Sequence, residues 1–407
     1  MSTFDFTVIG AGIGGLATAA RLARLKKKAL IIVQGNEAGG VFIPCKADGY
    51  QFAAGPAMSF DFERAGTIRQ LYTDLGIAHN AAMVSPCYQV ALPNHRITVS
   101  AEHRETIDEM SREFPREIDS VYQFYRDIKK SAERSVKSRV ASYFAKHKRS
   151  GAFLRRYRFS RELSAFFDVQ ARYFFCQPIN DLPLSSLIAL IDSSPLHVAH
   201  GFKKVADQLL EVILKNNGVV LFAEPFPELV QRRGRVAELI TSNRSVKPGS
   251  VLLNTKLPGR ATTVCMGISN QVVPVRMIHE VICLSDYDRP QGMFSLSLSK
   301  PDDELSAPKG LRALTVRFPS ASVPEKEALL ALVGTIMPFV GDYCETVHRA
   351  AADGMQYLTP DSLFVTKDKI ERQGDRGTIK NMFFINDDDC CPEQAVAAAQ
   401  RIAKRLA

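Results

Sequence analysis

Apolar and polar positions along the chain divide it into recognisable elements before any chemistry is considered. Phe4, Phe6, Val8 and Ile9 form an apolar run at the N-terminus, followed by a cluster of glycines and an alanine-rich stretch over 14–25. A second run, Ala29, Leu30, Ile31, Ile32 and Val33, has no polar interruption. Unbroken apolar runs of this length read as strands covered on both faces, and strand–helix–strand in about thirty residues predicts a βαβ unit of a parallel sheet. The same reading gives a helix starting near 202 and ending at Lys215, Asn216 and Asn217, with Gly218 in the C′ position. Further strands are expected at 219–222, 235–241 and 250–254, the last two in a small covering sheet. A long helix is expected over 120–146, its apolar face made by Val121, Phe124, Tyr125, Ile128, Val136 and Val140. Strands over 272–283, 293–299 and 312–318 predict a mixed sheet. The chain closes with a buried strand, 381–387, and an alanine-rich helix, 393–406, with Arg401, Lys404 and Arg405 in its last turns, where the helix dipole favours cations.

The glycine cluster between the first strand and helix is Gly10, Ala11, Gly12, Ile13, Gly14 and Gly15, a G-x-G-x-x-G pattern in strand–turn–helix context. Gly10 permits a sharp turn, Gly12 permits a pyrophosphate to approach the backbone, and Gly15 permits close packing of helix on strand. The helix start then presents free N–H groups to phosphate. In dinucleotide folds of this kind an acid at the end of the second strand holds the adenosine ribose. Val33 occupies that place here, with Gln34 following. Either Gln34 makes a neutral hydrogen bond to the ribose, or no adenosine ribose binds.

Composition narrows the class. The 407 residues suffice for about two domains, and 46% hydrophobic with 23% charged residues is ordinary for a globular protein. Eight scattered cysteines without C-x-x-C spacing read as reduced thiols of an intracellular, cytoplasmic protein, and residues 1–5 leave no room for a signal peptide. The apolar run 6–25 contains four glycines, Arg21 and Arg24, which argues against a membrane span.

Two further segments carry a resemblance. Gly39, Gly40 and Val41 follow the second strand, and Gly49, Tyr50, Gln51, Phe52, Ala53, Ala54, Gly55 and Pro56 follow in turn. With Phe383, Phe384, Ile385, Asn386 and Asp387 near the C-terminus, these segments resemble the flavoproteins of the phytoene desaturase, protoporphyrinogen oxidase and amine oxidase group. The resemblance covers both ends and the centre of the chain. It implies an α/β fold: a Rossmann-like FAD-binding domain from 1–75, 196–258 and 362–407, and a discontinuous α+β substrate domain from 76–195 and 259–361. It also implies FAD held by the glycine turn, Gln34, Gly39–Gly40–Val41, Gly55, Pro56, the backbone at Phe226, and Asp387. The chain departs from the group at Val33, at Val41 (usually arginine), at Ala53 (usually aspartate) and at Asn386 (usually glycine). A second strand–G-x-G-x-x-G–helix unit for NAD(P)H is missing, so the implied flavin would meet its substrate directly.

Residues 126–161 hold thirteen Lys/Arg against Asp127 and Glu133, interleaved with Tyr143, Phe144, Phe153, Tyr157 and Phe159. This is either a solvated basic face or a surface for anionic membranes, giving peripheral attachment. No recognition motif accompanies the net charge of +9, so nucleic acid is not expected. His197 and His200 lack a third ligand, and Cys390 and Cys391 follow three aspartates; these read as a loop pair and as structural thiols, with no metal site. The functional expectation is an FAD-dependent oxidoreductase acting on an apolar, isoprenoid or lipidic, small molecule. The alternative is a degenerate, non-catalytic member of the fold that binds or scaffolds.

Overall fold

A computed structural model describes residues 2–63, 66–198, 201–256, 262–319, 324–349, 379–387 and 392–407. Strand β1 (Ser2–Ile9), helix α1 (Ile13–Arg24) and strand β2 (Ala29–Ile32) form the expected βαβ unit. They open a parallel sheet whose order is Val219–Leu221, β2, β1, Ser245–Lys256 and Met382–Asp387. Alternate residues face opposite sides. Phe6, Val8, Ile31 and Leu252 pack under α1, Phe202–Lys215 and Pro392–Leu406, while Ile9, Leu30, Leu253 and Phe384 pack on the other side with Val236 and Leu239. Strands buried on both sides need apolar residues throughout, which is why β2 carries no alternation.

The expected small covering sheet does not form as predicted. Residues 250–254 belong to the twelve-residue strand Ser245–Lys256 in the centre of the parallel sheet. Arg235–Ile240 pairs with Glu228–Arg232 as an antiparallel ribbon on the same sheet, joined to it at Ser245 and Val246. The sequence signal failed because one long strand serves two neighbours in turn. The helix end near 218 also differs in detail. Asn217 takes the left-handed position, and Gly218 N–H bonds to Ile213 O at 2.9 Å as the next residue on. Gly218 is small because a Cβ would lie 2.3 Å from Ile213 Cγ2.

A second sheet runs Cys344–Arg349, Thr262–Ser269, Leu311–Phe318, Phe294–Leu298, Glu280–Cys283, Tyr88–Ala91 and Arg96–Val99. Its pairs are antiparallel except Glu280–Cys283 with Tyr88–Ala91. Only the last four residues of the predicted 272–283 strand are extended; Asn270–Val272 is a short 3-10 turn. One face of this sheet is apolar and packs on Leu329 and Val333 of helix Lys326–Gly334. Beside it, Phe124 of helix Ile118–Lys137 lies among the rings of Tyr125, Phe153, Tyr157, Phe159 and Phe167. Truncating such a residue to alanine removes about 3–5 kcal/mol. The predicted 120–146 helix is broken at Ser138, whose Oγ accepts the Ala141 N–H and starts Arg139–His147. Val121, Phe124 and Ile128 are buried as expected, but Val136 and Val140 are exposed. Among the cysteines, Cys45, Cys87, Cys265, Cys283 and Cys344 are free, whereas Cys176 is disulfide-bonded, against the expectation of thiols throughout.

Candidate functional site

The glycine turn is built where β1 hands over to α1. Gly10 has φ +100°, and its N–H donates to Ile32 O at 2.9 Å, tying the turn to the end of β2. Gly12 is the N-cap of α1 in extended backbone, and its carbonyl accepts the Leu16 N–H. Ile13, Gly14 and Gly15 form the first helical turn, with Gly14 O accepting from the Thr18 hydroxyl at 3.0 Å. No acidic residue stands in that first turn, so the partial positive charge of the helix start is not neutralised there.

The loop after β2 folds back onto the turn. Gly39 N–H donates to Ala11 O at 2.8 Å, and both Gly39 (φ +133°) and Gly40 (φ +60°) adopt left-handed backbone. Val41 packs half-buried against the main core, where an arginine was absent from the sequence. Gly55 (φ +75°) and Pro56 are buried; a Cβ on Gly55 would meet the Phe42 ring at 2.4 Å. The Gly39–Gly40 loop and the Gly55 segment therefore meet the glycine turn through Ala11 and Phe42. Lys203 reaches the same loop, its Nζ 2.5 Å from Asp207 and 3.6 Å from Glu37.

Other predicted residues lie apart. Gln34 is half-buried beyond the end of β2. Val33 is buried, its N–H bonded to Leu221 O and its carbonyl to Glu224 N–H, so the place of the missing acid is closed by backbone pairing. Glu224 is a buried acid at that end, engaged with the Ser242 N–H. The Phe226 side chain packs with Ile32 and Leu253 on the sheet face away from α1. Asp387 ends the strand Met382–Asp387 opposite Lys256; its side chain, together with Cys390, Cys391 and His200, lies outside the described residues. His197 stands in the short strand Leu196–Val198. Among the described residues no group of three or more His, Cys, Asp and Glu is placed to hold a metal ion.

The turn fits a pyrophosphate. Its first helical turn carries no acid, and Asn254 beside it holds a buried amide Nδ2 without a partner among the described residues. The ribose end fits less well, since Val33 offers no carboxylate. The fit is also tight, with Ala11 6% and Ile13 0% exposed.

One set of residues escaped the sequence reading. The hairpin Cys45–Ala47 and Tyr50–Phe52, which leaves the Gly39–Gly40 loop, packs through Tyr50 and Phe52 on Cys265 and Ala313 of the second sheet. Cys265, Thr315, Ser297 and Glu280 are consecutive partners across four strands, so they share that inward face. Ser297 Oγ donates to Glu280 Oε2 at 2.7 Å. Burial pushes the Glu280 carboxyl up to about 7, opposed by the Ser297 hydrogen bond and the Arg317 charge. Arg317, Ser295 and Tyr173 line a small cavity of about 30 Å³ alongside, room for a single water. Such a carboxyl can hold or release a proton near neutral pH. The only sequence signal was period-two alternation with serine and threonine in place of apolar residues.

Comparison with known proteins agrees with this architecture. Residues 8–75 match the model of the NAD(P)-binding Rossmann-like domain. Over 390 residues the chain is 23% identical to the chloroplastic prolycopene isomerase of Arabidopsis thaliana, covering 81% of this chain and 65% of that protein. The chain thus spans less than two thirds of the length of the curated relatives it matches. Among solved structures, a Rab GDI from Plasmodium falciparum superposes with TM-score 0.68 at 11% identity, over 100% of this chain and 98% of that one. Cyclohexylamine oxidase from Brevibacterium oxydans does so with TM-score 0.55 at 14% identity, over 99% and 98%. The glycine turn and the Gly39–Gly40 segment thus lie within a match to a Rossmann-like domain, and the two-sheet α/β fold around it is one the chain shares with an amine oxidase.

Proposed function

We propose that this protein is an FAD-dependent oxidoreductase of the desaturase and amine oxidase type, acting on an apolar molecule of isoprenoid or lipidic kind. The observation that carries the cofactor is the acid-free N-terminal turn of α1, set against Gly10, Gly39 and a buried amide that has no partner among the described residues. Bound there, the flavin supplies the electron transfer that no side chain can. In this reading Gly10 to Gly15 line the pyrophosphate, Gln34 lies toward the ribose, and the Gly39–Gly40–Val41 loop, Gly55, Pro56, Phe226 and Asp387 complete the contacts. The division into a cofactor part (1–75, 196–258, 362–407) and a substrate part (76–195, 259–361) belongs to the same proposal. Glu280, held by Ser297 on the inward face of the second sheet, is the group fitted to move a proton.

The substrate class is supported by the relation to a prolycopene isomerase and by an exposed apolar patch. Val136 (88% exposed), Val140 (65%), Tyr143 (61%) and Phe144 (62%) project from consecutive helices beside the exposed Lys137, Lys146 and Lys148. We assign this patch to an anionic lipid surface. Phe153 and Tyr157 are buried and take no part. Among the described residues no helix is long and apolar enough to cross a membrane.

A second reading rests on the enclosure of Ala11 and Ile13 and the backbone closure at Val33. It makes the chain a non-catalytic binding or scaffold protein that keeps the fold. Fold cannot decide between them, because function resides in sites. Flavin content does: purified protein should show a flavin absorption band, and Gly12→Val should lose it while staying folded. A flavin band of equal height in Gly12→Val, or its absence from wild type, rules out the cofactor assignment.

A further inference from the structure

We infer that Asn254 is a phosphate-binding residue: one end of its amide is spent on the helix start, and the other is held ready for an anion. The inference rests on the dinucleotide reading and extends it to a residue 239 positions from the glycine it touches.

Asn254 lies near the end of Ser245–Lys256, beside the C-terminal end of β1. It fills the space that the motif glycines leave open. A Cβ on Gly10 would lie 2.4 Å from Asn254 O, and a Cβ on Gly15 would lie 2.5 Å from Asn254 Oδ1 and 2.9 Å from its Cβ. Gly15 is small to admit this side chain. Asn254 Oδ1 accepts the Gly15 N–H at 2.9 Å, a buried bond that satisfies one of the four donors left unpaired at a helix start.

That bond fixes the orientation of the amide. Turned over, the NH₂ group would face the Gly15 N–H, donor against donor, so the oxygen must stand there. Nδ2, the other end of the same amide, is then buried beside that helix start. Among the described residues it has no hydrogen-bond partner, and the residue is 7% exposed. A buried donor without an acceptor is costly and is seldom kept without reason. The acceptor it suits is an anionic oxygen, since the adjacent helix start favours negative charge and no acidic side chain stands in that first turn. A phosphate oxygen of a dinucleotide meets both demands.

Asn254→Asp separates binding from structure. Aspartate keeps the acceptor for Gly15 and nearly the same shape, but it replaces the donor with a negative charge. A carboxylate at a helix start is stabilising, so the ligand-free variant should melt at the wild-type temperature or above. Its affinity for FAD, measured by titration of the deflavinated full-length protein, should fall about tenfold to a hundredfold, the factor expected for a lost charge-assisted hydrogen bond. Inorganic pyrophosphate should weaken in parallel if the contact is to phosphate, and NAD⁺ serves as the arm for the other dinucleotide. Equal FAD affinity in Asn254→Asp and wild type overturns the assignment while leaving the dinucleotide reading in place. A variant that loses affinity only together with thermal stability overturns it as well. Wild-type protein that binds none of the three ligands overturns both.

Discussion

Replacing Gly10 with alanine tests whether the turn is held by its backbone and by the strand beside it. Two costs are separable. Gly10 has φ +100°, a region that costs a residue with a Cβ about 1–2 kcal/mol. The added methyl would also stand 2.4 Å from Asn254 O, which is backbone and cannot rotate away. Relief requires Ser245–Lys256 to shift from β1, to which it is paired from Ser2 to Ile9. Overpacking of that kind costs about 1–3 kcal/mol. Together the expected loss is about 2–5 kcal/mol. Two other glycines serve as controls. Gly234 has φ +71° with nothing within 4 Å of a built Cβ, so Gly234→Ala should show only the conformational cost, about 1–2 kcal/mol. Gly334 ends helix Lys326–Gly334 outside the left-handed region, again in open space. Gly334→Ala should stabilise by about 0.4–1 kcal/mol, through a less flexible unfolded chain. Urea unfolding followed by far-UV circular dichroism measures all three; the chain has no tryptophan to report by fluorescence. Unchanged slopes against urea would show that stability alone has moved. If Gly10→Ala is no worse than Gly234→Ala, the close approach of Asn254 is not what constrains the turn.

Further outcomes follow from other parts of the molecule. Glu280 has its carboxyl raised by burial from 4.5 to about 7, so between those values the folded protein binds more protons than the unfolded chain. Stability should therefore fall as pH rises from about 4.5 to about 7, and Glu280→Gln should flatten that slope; an identical slope in the variant refutes the assignment. The patch of Val136, Val140, Tyr143 and Phe144 should bring the protein down with anionic but not neutral liposomes, less so as salt rises, because each nearby Lys or Arg adds about 1 kcal/mol at low screening. Tyr143→Ser with Phe144→Ser should weaken that binding, as should Arg155, Arg156 and Arg158 changed to Glu; equal sedimentation with both lipids, or none with either, leaves the patch as solvated surface.

The N-terminal unit was legible because each of its signals is local. Apolar β1, the Gly10–Gly15 spacing and the unbroken β2 lie within a span of thirty residues, and the structure reproduces them to within a residue or two. What stayed hidden depends on partners distant in sequence. Residues 250–254 read as an independent short strand because their pairing with β1 on one side and Met382–Asp387 on the other leaves no local trace. Val136 and Val140 fit the helical period of Val121 and Phe124, but Val136 is exposed in the last turn of Ile118–Lys137 and Val140 lies on a new axis after the break at Ser138, neither of which periodicity alone can detect. Glu280 and Ser297 are unremarkable residues until register sets them side by side. Asn254 likewise gains its meaning only from Gly15, across most of the chain.

That separation bears on how the protein is made. A ribosome adding about 5–20 residues per second releases β1 and its glycine turn roughly 12–50 seconds before Asn254, which lies 239 positions beyond Gly15. During that interval one edge of β1 lacks the strand that will pair with it, and the first turn of α1 lacks its side-chain cap. An unpaired parallel edge rich in Phe, Val and Ile is prone to join other chains. Expression from fragments that end near residue 75, although they contain the whole Rossmann-like match, should accordingly yield aggregates rather than a small folded domain. Solubility should return only when the chain extends past Lys256 to supply the missing neighbour.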